Sequence, residues 1–317
     1  MEIMIQTSAL SKQYRSQRER AALNEISIEV PKGALFGIVG ADGAGKTTLL
    51  RILATVLRAS SGKASLAGLD TRRDAEQIRR ILGYMPQEFS QYPDLSLQEN
   101  LNFFADIQRV PAHQKRERID RMLEFTHLAE FRDRPAGKLS GGMKKKLALA
   151  CAMVHDPQVL ILDEPSTGVD PVSRGEFWNI LAGIIKDGVT VLISTPYMDE
   201  ADRCSQVGML YEGNLLKSGT PDELTHALPF ETLEVKASPR KRMREIVAHL
   251  PEILSWNPVG DRLRVAVKPG DQQRVIDLLT RLFRAEAMPV PVLRPVRKTM
   301  DDAFIDMVSR QRVGQTL

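Results

Sequence analysis

Three segments of this 317-residue chain carry residue types that suit phosphate chemistry. The first is the glycine-rich run from Gly40 to Thr47, which lies between the apolar residues 36–39 and a helix-like segment. Glycines allow a turn whose backbone N–H groups point at oxyanions, and the following helix presents its positive end. In such a loop Lys46 would reach the β- and γ-phosphates of a nucleotide, and the Thr47 hydroxyl would bind Mg²⁺. The segment predicts nucleotide binding, with a chance glycine-rich hairpin as the alternative.

The second segment is the apolar run 159–162, which ends in Asp163 and Glu164. Ligands of open parallel sheets lie beyond the carboxyl ends of the strands, so Asp163 is expected to hold the water shell of Mg²⁺ close to Thr47. Glu164 would face the attacking water and act as general base or water-orienting group. Taken alone, the two carboxylates are also compatible with an ordinary helix N-cap or turn. Together with the glycine-rich loop they predict nucleotide hydrolysis.

A third segment, Leu139 to Met143, places Ser140, Gly141 and Gly142 at the start of a helical pattern. Backbone N–H groups at a helix start form a second phosphate cradle, and one nucleotide-binding loop does not need two. Alone, the segment would be read as a flexible turn. In this order the three segments strongly resemble the ATP-binding cassette (ABC) family, and the resemblance extends from residue 1 to about Asp222.

The resemblance implies roles for further residues. Tyr14 stands where the family stacks an aromatic ring on adenine, although a surface aromatic is the alternative. Gln87 matches the glutamine whose amide reaches Mg²⁺ and whose loop touches the transmembrane partner, and residues 168–170 match the loop that crosses to the other ATP site. The Ser-Gly-Gly segment is expected to complete the ATP site of a partner subunit. The expected ATP contacts are Tyr14, Gly40, Asp42, Gly43, Ala44, Gly45, Lys46, Thr47, Thr48, Ser140, Gly141 and Gly142; Mg²⁺ is expected at Thr47, Gln87 and Asp163, and catalysis from Glu164, Lys46 and Gln87.

One position departs from the family pattern. Pro196 stands where the family normally has a histidine that contacts the γ-phosphate and helps to hold the attacking water. Proline has no side-chain donor and no backbone N–H. The chain is therefore expected to bind ATP but to have a slow or silent site of its own, while its Ser-Gly-Gly segment serves a competent partner site. The alternative is that Thr195 or a water replaces the histidine and activity is nearly ordinary.

The order of patterns predicts an α/β fold, a P-loop NTPase of ABC type with a helical subdomain at about 88–157. Ser96 and Glu99 form a capping box that opens an amphipathic helix, whose apolar face is expected to carry Leu97, Leu101, Phe104 and Ile107. Pro111 starts a second, highly charged helix. Its basic residues are read as a solvated face because no aromatic groups are interleaved, so no nucleic-acid partner is expected.

The ABC domain is expected at 1–222 and an accessory domain at 223–317. From about Glu231 the patterns suggest strand, helix, strand, strand, helix, strand, which indicates a small α+β lobe of ferredoxin-like type. The six segments are 233–237, 241–250, 253–257, 262–267, 272–284 and 290–293. The lobe is followed by a helix start near Thr299 that resembles the terminal segment of drug-export and polysaccharide-export ATPases. We expect the lobe to support a dimer or to contact another protein rather than to sense a ligand.

Composition limits the remaining classes. The chain is 43% hydrophobic and 26% charged with a net charge of +4, which is typical of an ordinary globular protein. The two cysteines, Cys151 and Cys204, are far apart and indicate reduced thiols rather than a disulfide framework or zinc site. The longest apolar runs fall far below the roughly 20 residues of a membrane helix. Residues 1–7 alternate like an edge strand and lack the basic start of a signal peptide, so the protein is expected to stay on the side where it is made.

The closest likeness is to the ATPase subunits of ABC-2-type exporters, the group that includes daunorubicin-resistance-like efflux systems. This implies an ATP- and Mg²⁺-dependent ATPase, peripheral on the cytoplasmic face of the membrane. Its expected partners are a separate permease of ABC-2 type and a second ATP-binding cassette, in a homodimer or heterodimer. The alternatives are a soluble ABC ATPase that remodels ribosomes or nucleic acid, and a regulatory cassette with little turnover. Soluble ABC ATPases of that kind usually have two cassettes in one chain or a long coiled-coil insertion, and the sequence shows neither.

Overall fold

A computed structural model of the chain describes residues 2–14 and 21–314, with side chains as far as residue 311. Contacts within the chain divide it into two compact units, Met1–Pro221 and Asp222–Leu317. In the part of the chain so described, no helix has the length and apolar character needed to cross a membrane.

The first unit contains a six-stranded sheet and a smaller antiparallel sheet. The strands are β1 (Ile3–Lys12), β2 (Leu23–Ile26), β3 (Glu29–Pro31), β4 (Leu35–Val39), β5 (Ser61–Leu66), β6 (Leu69–Asp70), β7 (Leu82–Met85), β8 (Val159–Asp163), β9 (Thr190–Thr195), β10 (Gln206–Tyr211) and β11 (Asn214–Gly219). The helices are α1 (Lys46–Leu53), α2 (Ala75–Ile81), α3 (Leu97–Ile107), α4 (Ala112–Phe125), α5 (Gly141–Met153), α6 (Pro171–Lys186) and α7 (Met198–Ala201). Two short 3₁₀ turns, Ala129–Phe131 and Ala136–Lys138, lie between α4 and α5.

The larger sheet has the order β11-β10-β4-β9-β8-β7. The strands from β10 to β7 are parallel, and only β11 pairs antiparallel. Every residue of β4, β8 and β9 is buried. Parallel strands buried on both faces require continuous apolar sequences, which is why these segments carry no polar alternation. The predicted α/β class is confirmed.

The expectation of an edge strand at the N-terminus is wrong. Strand β1 pairs with β2 and β3 and also with β5, so it lies inside the antiparallel sheet. Alternation identifies a strand with one buried face, here Ile5 and Leu10, but it does not count the neighbours of that strand. Met1, which was part of the expectation, lies outside the described residues.

The helical segment between β7 and β8 begins as predicted. The Ser96 side chain accepts a hydrogen bond from the Glu99 N–H and the Glu99 carboxylate accepts one from the Ser96 N–H, so the capping box at the start of α3 is confirmed. Pro111 precedes the first residue of α4, also as predicted. Ile107, at the end of α3, is 58% exposed although the sequence pattern assigned it to the apolar face.

The second unit is a four-stranded antiparallel sheet with helices. It comprises α8 (Pro221–His226, whose first residue closes the first unit), β12 (Glu231–Lys236), α9 (Arg240–Ala248), β13 (Ile253–Val259), β14 (Arg262–Val267), α10 (Gln272–Ala285), β15 (Val292–Val296) and α11 (Met300–Gly314). The sheet order is β13-β14-β12-β15. Its βαββαβ order and central first and third strands confirm the predicted ferredoxin-like lobe. The last strand begins two residues later than expected.

Candidate active site

The glycine-rich loop, Asp163 and the turn at Pro196 meet at one edge of the parallel sheet. Strands β4, β9 and β8 are neighbours, with Val39 opposite Thr195 and Asp163 opposite Ser194. Parallel strands deliver their carboxyl ends to the same edge. The glycine-rich loop, which begins at Gly40, the turn at Pro196 and the carboxylate Asp163 therefore leave the sheet side by side.

The glycine-rich loop leads directly into helix α1, whose N-cap is Gly45. Gly45 has φ of +105°, and a Cβ there would lie 2.4 Å from the carbonyl oxygen of Ala22. A side chain is excluded by both conformation and space. The loop curls around the Lys46 side chain, whose ammonium donates to the carbonyl oxygens of Gly40 at 2.8 Å and Ala41 at 3.1 Å. Lys46 is thereby held, almost fully buried, at the base of the loop.

Glu164 carries the ion pair of the site. Its carboxylate lies 3.3 Å from the Lys46 ammonium. The side-chain amide of Gln87 donates to it at 3.0 Å and the Thr167 hydroxyl at 3.3 Å. The carboxylate predicted as general base is thus buried and accepts three donors. The ammonium of Lys46 and the carboxylate of Glu164 therefore neutralise each other.

Asp163 is completely buried at the end of β8. One carboxylate oxygen, Oδ1, accepts from the hydroxyls of Ser194 at 2.7 Å and Thr47 at 3.1 Å. The other, Oδ2, is buried and has no hydrogen-bond partner among the described residues. Burial raises the pKa of Asp163 above its ordinary value of 3.8, although the two hydroxyls act in the opposite direction.

These groups fit a divalent cation. A carboxylate with an unused buried oxygen beside a threonine hydroxyl is an oxygen donor set of the kind that Mg²⁺ takes together with phosphate oxygens and water. Asp163 and Thr47 would hold the ion, with Gln87 as the predicted third ligand. The cation would supply positive charge beside the nucleotide phosphates.

Replacing Asp163 with asparagine tests this fit without measuring turnover. Because the folded-state pKa is raised, the folded chain retains a proton that the unfolded chain has lost, so stability falls as pH rises from 3.8 through the folded pKa. The neutral amide removes this cost, and we expect the free energy of unfolding at pH 8, without Mg²⁺ or ATP, to be higher for the variant than for the native chain. That advantage should shrink as the pH is lowered toward 3.8. Thermal unfolding with and without Mg²⁺ and ATP is the measurement.

The variant should also lose the additional stabilisation that Mg²⁺ gives in the presence of ATP, because the charged ligand is gone. Asp187→Asn is the matched control, since Asp187 is an exposed aspartate at the end of α6 that lies outside the cavity lining. Full retention of the Mg²⁺-dependent stabilisation by Asp163→Asn would contradict the assignment.

A cavity of about 380 Å³ opens over the loop. Its lining contains eight of the twelve predicted ATP contacts, namely Tyr14, Asp42, Gly43, Ala44, Gly45, Lys46, Thr47 and Thr48. Gln87, Glu164 and Ala22 complete it. The Tyr14 hydroxyl lies 3.3 Å from that of Thr48, so the ring stands at the mouth of the cavity where a flat ligand group can stack on it. Asp163 lies beneath Thr47 rather than in the cavity wall.

The Ser-Gly-Gly segment lies apart from that cavity. Ser140 is the N-cap of α5 and accepts from the Met143 N–H at 3.3 Å. A Cβ on Gly142 would come within 2.5 Å of Ser173, so close packing against α6 requires glycine there. Ser140 and Gly141 are exposed. The structure therefore brings together the loop, Tyr14, Gln87 and the two carboxylates, but not this segment.

The turn at Pro196 has no spare hydroxyl next to it. The buried Thr195 hydroxyl donates to Glu200 at 2.6 Å and accepts from the Tyr197 N–H at 3.0 Å. Glu200 is itself completely buried and also accepts from the Trp178 indole at 3.3 Å. Ser194 is bonded to Asp163. Thr195 and Ser194 are therefore both engaged in structural hydrogen bonds.

Sequence reasoning did not single out Ser194, Lys145 or Thr167. Ser194 donates to Asp163, and its hydroxyl also accepts from the Glu164 N–H at 3.0 Å. The signal available for Ser194 was its position at the end of a strand next to β8. Lys145 donates to the Gln87 carbonyl oxygen at 2.9 Å from a distant part of the chain, and nothing in the local sequence indicates that contact.

The fold and site define a P-loop nucleotide-binding domain with a paired carboxylate site. Residues 23–167 match the ABC transporter family. The chain is 37% identical over 312 residues to the probable multidrug ABC transporter ATP-binding protein YbhF of Escherichia coli K12, covering 96% of this chain and 52% of that protein. It is 32% identical to the daunorubicin resistance ATP-binding protein DrrA2 of Streptomyces coeruleorubidus, and the match covers 97% of this chain and 95% of that protein. The Nod factor export ATP-binding protein I of Ralstonia nicotianae is also 32% identical, and that match covers 97% of this chain and 94% of that protein.

Solved structures agree in fold. The cbiO1 protein of Clostridium perfringens, part of the cbiONQ ABC transporter complex, superposes with a TM-score of 0.65 at 27% identity over 79% of this chain and 97% of that one. A dimeric ATP-binding cassette with bound ADP and phosphate has a TM-score of 0.64 at 23% identity, over 68% and 98%. The chain belongs to the ATP-binding proteins of the ABC transporter family. It spans about half the length of the E. coli relative.

Proposed function

We propose that this chain is the ATP-binding subunit of an exporter, which couples ATP binding and hydrolysis to efflux through a separate membrane permease of ABC-2 type. The observation that carries the proposal is the cavity in which the glycine-rich loop, Gln87 and Glu164 meet above the buried Asp163. The names of the relatives, which specify multidrug, daunorubicin-resistance and Nod factor export proteins, support export as the direction.

In this proposal two cassettes enclose two ATP molecules. Each nucleotide is held by the loop of one chain, with Lys46 on its phosphates and Tyr14 on its base, and by the exposed Ser140 and Gly141 of the other. The separation of the Ser-Gly-Gly segment from the cavity of its own chain supports a role in a partner's site. Closure of the pair on binding and reopening after hydrolysis would drive the permease. The second cassette is either another copy or a related chain.

We further propose that the chain's own ATP site turns over slowly because of Pro196. The alternative, in which Thr195 replaces the missing histidine, requires a free hydroxyl. That hydroxyl donates to the buried Glu200 and would have to abandon a charged, fully buried acceptor. Removing a hydrogen bond from a buried carboxylate is costly, so the hydrogen bond to Glu200 disfavours a catalytic role for the Thr195 hydroxyl. A site of this kind suits a heterodimer whose partner site is complete.

A groove between the sheet and the helical segment is proposed as the permease contact. This cavity of about 610 Å³ is flanked by Val56 and Ile107, which are 64% and 58% exposed. Inside it, Gln91 Oε1 and His155 Nδ1 are buried without a hydrogen-bond partner among the described residues. The lining also carries the charged Glu76, Arg79, Arg80 and Arg109. Exposed apolar and charged side chains around unused polar groups suit an inserted protein segment that supplies both kinds of contact. The loop that follows Gln87 lines the same groove.

Fractionation of cells that make the protein tests the assignment to a membrane permease. We expect the native chain to sediment with membranes, and Ile107→Asp to shift most of it to the soluble fraction, because a charge would be buried in the apolar contact. Val259→Asp is the matched control, since Val259 is equally exposed, at 54%, but lies in the second unit. A native chain that sediments with ribosomes instead would support the soluble ABC ATPase. Membrane binding that is unaffected by Ile107→Asp would remove the groove from the proposal.

A further inference from the structure

Lys145 joins two parts of the site that lie far apart in the sequence. It is the fifth residue of α5, whose N-cap is Ser140, so its Cα is about 7 Å along the helix axis from that cap. Its ammonium donates to the carbonyl oxygen of Gln87 at 2.9 Å and reaches that of Glu164 at 3.5 Å. One side chain on the helix of the Ser-Gly-Gly segment thus contacts the backbone of both groups that flank the ATP cavity.

The backbone of Glu164 needs such support. Glu164 has φ of +46°, in the left-handed region that a non-glycine residue adopts only at a cost. Its N–H donates to the Ser194 carbonyl oxygen at 3.2 Å and to the Ser194 hydroxyl at 3.0 Å. Lys145 lies on the carbonyl side of the same residue. The strained peptide is therefore held from both ends, by β9 through Ser194 and by α5 through Lys145.

The charges near Lys145 favour this arrangement. The group is half-buried, and burial lowers its pKa, while the carboxylates of Glu164 and Asp163 act in the opposite direction. The neighbouring Lys144 and Lys146 point elsewhere. Lys144 lies over the ring of Phe89 at 5.5 Å, and Lys146 pairs with Glu176 at 2.6 Å. Among these three consecutive lysines, the contacts to Gln87 and Glu164 belong to Lys145.

We propose that Lys145 is a positioning residue that fixes Gln87 and Glu164 relative to the helix carrying Ser140, Gly141 and Gly142. The inference rests on the proposed function, because it assumes that Glu164 serves hydrolysis and that the Ser-Gly-Gly segment contacts a partner's nucleotide. A shift of the helix start on contact with that nucleotide is then transmitted through one ammonium to the catalytic residues of the same chain. Occupancy of one site thereby alters the geometry of the other.

The test uses Lys145→Met, which keeps the length of the side chain and removes its donors, with Lys145→Arg as the conservative variant. Lys144→Met is the matched control, since it removes the same charge from the adjacent residue. Hydrogen exchange of peptides that cover Gln87 and Glu164 is measured first, in the full chain without nucleotide. Loss of hydrogen bonds from a charged donor should accelerate exchange in these peptides about tenfold in Lys145→Met only.

The same variants are then made in the Pro196→His chain and assayed for ATP turnover. We expect Lys145→Met to lower kcat about tenfold with the Kd for ATP unchanged within about twofold, and Lys145→Arg to recover most of the loss. Equal exchange in Lys145→Met and Lys144→Met would overturn the inference. So would a fall in ATP affinity that accounts for the whole loss of turnover. The exchange measurement needs no turnover, so it remains decisive even where the proposed hydrolysis fails.

Discussion

Pro196→His is expected to raise the steady-state ATP turnover of the purified chain by about 100-fold or more, within the 100- to 10,000-fold range typical of one positioned catalytic group. The residue follows Thr195, the partner of Val39 at the sheet edge where the glycine-rich loop starts. An imidazole there would supply the donor that proline lacks in both side chain and backbone. Affinity for ATP should change little, because the loop and Lys46 are untouched.

Pro196→Ala is the control for this gain. It removes the ring and restores a backbone N–H but adds no side-chain donor, so its turnover should stay close to that of the native chain. Binding is measured in parallel by the ATP-dependent shift in Tm. An ordinary rate in the native homodimer, insensitive to both substitutions, would contradict a degenerate site and would indicate a self-sufficient homodimer.

The sequence was sufficient for the parts of the site that depend on local chain geometry. A glycine-rich turn between a buried strand and a helix needs only neighbouring residues, and Gly45 confirms the need through its φ of +105°. The capping box at Ser96 is equally local. The α/β class follows from continuous apolar strands such as 159–162, which can be buried on both faces only in a covered parallel sheet.

Long-range pairings could not be predicted in the same way. The alternation of residues 1–7 predicted an edge strand, but the inner place of β1 in the sheet depends on β5, about 50 residues away. The apolar stripe of α3 predicted a helix yet did not reveal that Ile107 would be exposed beside a groove. Lys145 lies in a run of three lysines that local chemistry cannot distinguish. Only the fold determines which one meets the backbone of Gln87.

The contacts of the Lys46 ammonium could not be predicted from the motifs either. The glycine-rich loop predicts that Lys46 binds phosphate, but its ammonium lies 3.3 Å from Glu164 and is held by two loop carbonyl oxygens. The motif predicts only the contact of Lys46 with nucleotide phosphates. Burial of an ammonium without an anion is unfavourable, and the carboxylate of Glu164 supplies the anion here.

Glu164→Gln is expected to separate binding from hydrolysis. In the Pro196→His chain the substitution should lower turnover by about 1,000-fold, because an amide cannot accept the proton of the attacking water. In the native chain the same substitution should lower turnover far less, because turnover is already slow where Pro196 stands in place of the histidine. The two substitutions act on the same step, so their effects are not expected to add.

The affinity for ATP should move in the opposite direction. ATP must displace the carboxylate of Glu164 from Lys46, and that carboxylate would repel the incoming phosphates. A neutral glutamine removes both costs, so we expect the Kd for ATP to fall about tenfold, which corresponds to about 1.4 kcal/mol. Glu176→Gln is the control for the change in net charge, since Glu176 lies on α6 and pairs with Lys146 of α5 rather than with Lys46. An unchanged or weaker affinity in Glu164→Gln, measured by equilibrium binding, would mean that the ion pair with Lys46 does not oppose nucleotide entry.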